Sequence, residues 1–323
     1  MIRTGPSVSR SDLGVYGIAP TPLIDLSAIA PDGISLYAKA EWHLPTGSLK
    51  DRIAAAMMAA AKADGTLDSA TELLEPSSGN TGIALARIAS IEGIPLTVLV
   101  PDNVSPERIG LLRAFGARIV ETPGEEGSNG AVRRAESLAS SGRALMLHQY
   151  ENEANPLAHE LSTGPEIIEQ LEERGVDRLD AFVATLGTGG TLTGVARALR
   201  PRYPDMRVVA AEPPSGELIS GLRSLDDGYI PPILDQSLLD GKILVRTKDS
   251  IAMTRRLLDE AGLFVGPSAG AAVHAAVRAA RRLEPGAVMV TILCDAGWKY
   301  LSTGLFDGTV DEATARVLDT TLW

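Results

Sequence analysis

"AFVATLGTGGTLTGVARAL" spans Ala181 to Leu199. Its first residues form a short apolar run, the length of a buried strand. Gly187-Thr188-Gly189-Gly190-Thr191 interrupts that run, and the remainder carries apolar residues at helical spacing. A strand that passes through glycines into a helix is half of a strand–helix–strand crossover, the unit of a parallel sheet. The rhythm repeats outward. Runs at 96–100, 117–122, 144–150, 207–212 and 287–294 read as further buried strands. Between them, stretches at 82–93, 106–116, 129–142, 163–175 and 250–262 have helical apolar spacing and end in glycine. The expected fold class is α/β, with parallel-type twisted sheets flanked by helices.

At 323 residues the chain is long enough for two lobes. The polar "YENEANP" at 150–156 follows a strand and suggests the boundary. The expectation is a smaller lobe over 45–150 and a larger one built from 1–44 plus 151–323. A Gly- and Pro-rich loop at 215–235 is expected to border the site. Acidic residues outnumber basic ones, 41 to 30, so the chain is a poor partner for nucleic acid or an anionic membrane. A single cysteine, Cys294, excludes an internal disulfide and points to a reducing, cytoplasmic setting. Cys294 ends an apolar run and is expected to pack as a small hydrophobe. His43, His148, His159 and His274 lack metal-ligand spacing.

Glycines before a helix let backbone N–H groups converge on an anion, and Thr188 and Thr191 add hydroxyl donors. The dinucleotide fingerprint needs glycine at 192, where Leu192 stands, and no Walker lysine follows. A single phosphate is the simplest guest. Glu212 could still serve a nicotinamide ribose, so an oxidoreductase stays open. A second turn, "EPSSGNTG" (75–82), offers Ser77, Ser78, Asn80 and Thr81 to a carboxylate or a ring hydroxyl, or merely caps a helix. A third, "GPSAG" (266–270), holds Ser268, which could equally be an ordinary N-cap.

"PTGSLKDR" (45–52) precedes an apolar, alanine-rich helix. Ser48 and Asp51 have the spacing of a capping box. Lys50 then falls in the first turn, where the helix dipole disfavours its charge. Desolvation acts the same way, and a neutral amine is what a Schiff-base lysine needs. With a single-phosphate turn nearby, the implied cofactor is pyridoxal 5′-phosphate, PLP. The plainer reading is a lysine that snorkels to water.

Together "PTGSLKDR", "EPSSGNTG", "GTGGT" and "DAGWKYLSTG" (295–304) resemble the cysteine synthase branch of fold-type-II PLP enzymes. "DAGWKYLSTG", "LRSLDDGYIP" (222–231) and a tail ending in Leu322-Trp323 are most similar to the actinobacterial subgroup that uses O-phosphoserine. The resemblance implies that Lys50 carries PLP and that Asn80 meets its 3′-hydroxyl. It implies that Gly187, Thr188, Gly189, Gly190 and Thr191 hold the phosphate, and that Ser268 faces the pyridine nitrogen. Ser77, Ser78, Thr81 and Gln149 would bind the substrate carboxylate, and Arg223 the phosphate of O-phosphoserine. Sequence alone also allows Arg223 to pair with Asp226 or Asp227.

The implied reaction replaces the β-substituent of an activated serine with a sulfur nucleophile, through α-aminoacrylate, to give cysteine. O-acetylserine and other β-substituted alanines are the alternatives. The sulfur donor could be sulfide, thiosulfate or a sulfur-carrier protein's thiocarboxylate. A homodimer is implied, and the tail is expected to cover the site. Leu44, Pro267 and the second glycine of "GTGGT" depart from the subgroup, and His43 and Leu44 are expected beside the site.

Overall fold

Parallel strands cannot be joined by tight turns, so each needs a crossover; most crossovers here are helical, although β8 and β9 are joined only by short 3-10 turns. The computed structural model describes residues 7–77, 79–102, 104–140 and 144–319. Four strands build the first sheet: β3 (Glu72–Pro76), β4 (Leu96–Pro101), β5 (Arg118–Thr122) and β6 (Ala144–Leu145). Their order is β5-β4-β3-β6, and every pairing is parallel. The second sheet contains β1 (Leu23–Asp25), β2 (Ser35–Ala40), β7 (Ala181–Thr185), β8 (Arg207–Glu212), β9 (Gly241–Leu244) and β10 (Val288–Leu293). Its order is β1-β2-β10-β7-β8-β9, parallel except for the β1–β2 edge pair. Two interior strands, β4 and β10, are buried along their whole length, as parallel strands covered on both faces are.

The helices sit where apolar spacing and glycine stops place them. Helix Asn80–Glu92 ends at Gly93, with φ +69°, and helix Thr247–Ala261 at Gly262, with φ +65°. Helix Lys50–Ala63 is buried nearly all round, since its alanines let neighbours approach closely. It packs on helix Asn80–Glu92, on helix Ala154–Ala158, and on the N-terminal helix Arg10–Val15. That last helix, expected with the larger lobe, therefore shares the core of the first sheet. No helix among the described residues is long and apolar enough to cross a membrane.

Two local expectations change. Only Ala144–Leu145 of the run 144–150 pairs as strand. His148 adopts φ +52°, a left-handed conformation, and turns the chain out of the sheet. The helix expected over 163–175 begins earlier, at Ala154, and passes through a π-helical stretch, His159–Thr163, before Gly164–Glu172.

Beneath Lys50 lies a buried ionic cluster. Arg52 donates to Glu41 Oε2 at 2.7 Å and to Glu166 Oε1 at 2.7 Å, while Lys39 meets Glu166 at 2.8 Å. All four side chains are excluded from water. The Glu41 carboxyl is held below its ordinary pKa; burial opposes that shift, but Arg52 and Thr21 outweigh it. Removing one member of such a cluster leaves an uncompensated buried charge, at about 3–5 kcal/mol. Glu166→Ala should therefore lower unfolding stability by about that amount. Glu260→Ala, which removes the exposed Arg256 pair, should cost less than about 1 kcal/mol. Urea denaturation of the two variants checks the contrast; equal losses would deny the cluster its role.

Candidate active site

A cavity of about 870 Å³ opens beyond the C-terminal ends of strands from both sheets. It is lined after β3 by Ser77, Asn80 and Thr81, after β7 by Gly187, Thr188, Gly189 and Thr191, and after β10 by Cys294. Lys50, Gln149, Arg223 and Ser268 complete the expected residues on its wall. Open parallel sheets place ligand sites at such ends. Gly190 stands behind the wall. Ser78, Leu322 and Trp323 lie outside the described residues.

Lys50 is the first residue of its helix, and the expected capping box is not formed. Leu49 is the N-cap and offers no side-chain oxygen. Asp51 instead accepts from Thr46 N and Thr46 Oγ1, both at 2.9 Å. Ser48 is committed elsewhere: it forms an antiparallel bridge with Asp295, and Leu49 N donates to Cys294 O at 3.0 Å. The turn is thus stitched to the end of β10, which fixes where Lys50 emerges. Burial lowers the Lys50 pKa, with Cys294 and Asp295 acting weakly the other way.

The Gly187–Thr191 turn is a cradle built by close approach. A Cβ on Gly187 would come within 2.6 Å of Gly221 O, and one on Gly190 would collide with the Asn155 side chain. Gly189 has φ +86°. Asn155 Nδ2 donates to Thr188 Oγ1 at 3.0 Å and to Gln149 O at 2.7 Å, tying this turn to the opposite wall. His159 Nε2 meets Thr191 Oγ1 at 3.2 Å and its Nδ1 meets Thr163 Oγ1. Burial drives the His159 pKa well below its ordinary value, so the ring is neutral. Neither Asn155 nor His159 had a sequence signal as a support of this turn, since both reach it from a different stretch of the chain.

Ser77 Oγ accepts from Gly82 N at 3.2 Å, so it caps helix Asn80–Glu92 while lining the cavity. Thr81 Oγ1 donates to Gln149 Oε1 at 2.7 Å, and Gln149 Nε2 donates to Glu75 Oε1 at 3.1 Å. Ser268 is not the N-cap of its helix; Gly266 is. Cys294 is buried, but it contributes to the cavity wall beside Thr185. Burial raises its thiol pKa.

Arg223 does not pair with its neighbouring aspartates. Asp226 takes Lys242 and Asp227 accepts from Ser215. The Arg223 guanidinium sits 4.6 Å from the Tyr150 ring centroid and 5.3 Å from that of Tyr229, and its Nε donates to Tyr150 Oη at 3.2 Å. Among the described residues no carboxylate lies within ion-pair distance of it. Glu212 is buried against Lys242 and Leu225 N, away from the cavity. His43 and Leu44 do not line the cavity either; His43 faces solvent.

Residues 15–295 match the family described as "Pyridoxal-phosphate dependent enzyme". The chain belongs to this family. It is 42% identical over 298 residues to a "Probable cysteine synthase" of Bacillus subtilis, covering 90% of this chain and 96% of that protein. It is 40% identical over 297 residues to a "Cysteine synthase" of Staphylococcus aureus, covering 90% and 95%. Among solved structures, an O-ureido-L-serine synthase superposes with a TM-score of 0.84 at 37% identity, covering 95% of this chain and 99% of that one. The protein is therefore a PLP-dependent enzyme of cysteine synthase type, and the nicotinamide alternative is overturned. The cavity fits the cofactor: it joins a glycine cradle for a phosphate to an amine whose charge burial disfavours.

Glu75 is a cavity residue that the sequence reading passed over. Burial pushes its carboxyl from the ordinary 4.5 up to about 8, against a smaller downward pull from Gln149. Between those values the native protein keeps a proton that the unfolded chain has released. Stability therefore falls as pH rises through this window, by up to about 1.4 kcal/mol per pH unit. Glu75→Gln cannot ionise. Its stability relative to the wild type should rise steadily from pH 5 to pH 8 in urea titrations. A difference that stays constant with pH would show that Glu75 is ionised throughout.

Proposed function

We propose that the enzyme makes L-cysteine by replacing the β-substituent of an activated serine, O-phosphoserine before O-acetylserine, with a sulfur nucleophile. When bound, PLP supplies the electron sink that lets an α-proton and a β-substituent leave an amino acid. The chain's residues do the rest. Lys50, with its charge disfavoured, holds the cofactor and takes the Cα proton at Nζ. Gly187, Thr188, Gly189, Gly190 and Thr191 hold the cofactor phosphate through backbone N–H and hydroxyl donors. Asn80 meets the ring oxygen and Ser268 the pyridine nitrogen. A hydroxyl there keeps that nitrogen unprotonated more readily than a carboxylate would, which suits elimination. Ser77, Ser78, Thr81 and Gln149 receive the substrate carboxylate. In this reading residues 45–150 act as the smaller lobe and carry those carboxylate donors.

One observation supports the O-phosphoserine reading above others. Arg223 lines the cavity with no carboxylate partner among the described residues and with its guanidinium oriented by two tyrosines. A guanidinium donates two parallel charge-assisted bonds to a phosphoryl group, whereas an acetyl offers a neutral acceptor. A second reading follows from the similar solved structure named O-ureido-L-serine synthase: another β-substituted alanine as product. The proposal also includes a cytoplasmic setting, on the single cysteine, and a homodimer, on the resemblance; its sulfur donor is sulfide, thiosulfate or a carrier thiocarboxylate.

Lys50→Ala should abolish β-elimination and the borohydride-sensitive visible absorption together; normal turnover in that variant would end the proposal. Arg223→Ala should cut kcat/KM for O-phosphoserine by about tens- to thousands-fold and spare O-acetylserine, since each charged bond lost costs about 1.5–3 kcal/mol. Steady-state kinetics with both substrates decides. Equal losses, or none, would move the reading to O-acetylserine or another activated serine.

A further inference from the structure

Asn80 is held at both ends of its amide by residues from the C-terminal stretch "DAGWKYLSTG". Lys299 Nζ donates to Asn80 Oδ1 at 2.6 Å, and Asn80 Nδ2 donates to Asp295 Oδ2 at 2.8 Å. An ammonium can only donate and a carboxylate can only accept. The pair therefore dictates which end of the amide is oxygen, and leaves one N–H of Nδ2 uncommitted by this clamp. Both partners are fully excluded from water. A buried ammonium is costly unless it is paired and hydrogen-bonded. Lys299 is set among Asp295, Asp51 and the Trp298 ring, the last 5.3 Å from its Nζ, and burial pulls its pKa to about 8.

Asp295 is equally constrained. Tyr300 Oη donates to the same Oδ2 at 2.7 Å. Its backbone bridges Ser48 in the Lys50 turn, and its neighbour Ala296 bridges Val265 before the Ser268 turn. Gly266 has no side chain where the Asp295 carboxylate lies; a Cβ there would collide with Oδ1. The Lys50, Asn80 and Ser268 turns thus meet around Asp295 and its neighbour Ala296.

We propose that Lys299 and Asp295 are positioning residues that act through Asn80, fixing its amide so that an N–H is presented to the ring oxygen of PLP. The inference rests on the reading of Asn80 given above. It adds that cofactor-ring recognition by the first sheet depends on a clamp supplied from the end of the second.

The test compares purified holoproteins: wild type, Lys299→Met, Lys299→Arg and Asn80→Ala. Lys299→Met should weaken PLP binding by about tenfold and shift the visible absorption of the bound cofactor, as Asn80→Ala does. Lys299→Arg keeps a donor and should restore the wild-type spectrum. Adding Lys299→Met to Asn80→Ala should change neither property by more than about twofold, because coupled residues are non-additive. Wild-type spectrum and affinity in Lys299→Met would overturn the inference, as would full additivity in the double variant. If Lys299→Met does not fold, Asp295→Asn replaces it under the same criteria. A wild-type protein with no borohydride-sensitive band would fail the functional reading itself; a normal wild-type band with an unaltered Lys299→Met fails only this inference.

Discussion

The structure depends on Arg52. Its side chain is wholly buried and bonds two carboxylates from separate parts of the chain, Glu41 after β2 and Glu166 in the helix that follows the π-helical stretch. Lys39 balances the count, so two cations face two anions with no net buried charge. Such clusters contribute less to stability than to the choice of one arrangement over others, because a mispaired alternative strands a charge. The arrangement chosen here is the start of helix Lys50–Ala63. Arg52 anchors that helix from below, while Ser48 and Leu49 stitch its first residues to Cys294 and Asp295. An arginine suits the task because its planar fork reaches both carboxylates with parallel bonds. Lys50 sits between these two restraints, which fix where it emerges on the cavity wall.

The second constraint is steric. The cavity needs backbone, not side chain, at its edges, and glycine is what allows it. Gly187 and Gly190 are pressed against Gly221 O and Asn155, and Gly266 against Asp295. Each substitution would push one wall off another. Glycine at these positions lets neighbouring elements close up at the cavity edge. Their spacing is set by the packing, which is why the pattern departs from the dinucleotide fingerprint at Leu192: that residue is wholly buried in the core under the turn.

What the sequence made legible followed from local periodicity. The strand–turn–helix units around Gly187 and Asn80 were readable because glycine and apolar spacing act within a few residues. The run 144–150 misled, because only its first two residues pair as strand while Met146 and Leu147 serve the core beyond it, and His148 takes a conformation that periodicity does not encode. The Ser48–Asp51 cap failed for a tertiary reason: β10 captured the backbone that would have formed it. Arg223 was ambiguous in sequence and became definite only when Lys242 and Ser215 were seen to occupy its neighbouring aspartates. Lys299 and Glu75 were invisible as site residues, since nothing local marks a lysine or a glutamate as buried.

Burial does opposite things to charge within this one cavity, and the result suits an anionic amino acid. The chain is acidic overall, with a net charge of −11, so its distant field does not attract such a substrate. Short-range donors must do so instead. Burial disfavours the charged form of Glu75, which would otherwise set an anion behind Gln149. It also disfavours the charge of Lys50, which must be a free amine to react. Arg223 remains partly accessible and stacked on tyrosines, and presents a cation on the cavity wall. Burial thus disfavours charge on the acid and on the amine, while Arg223 stays partly accessible, so environment rather than residue type separates the three groups.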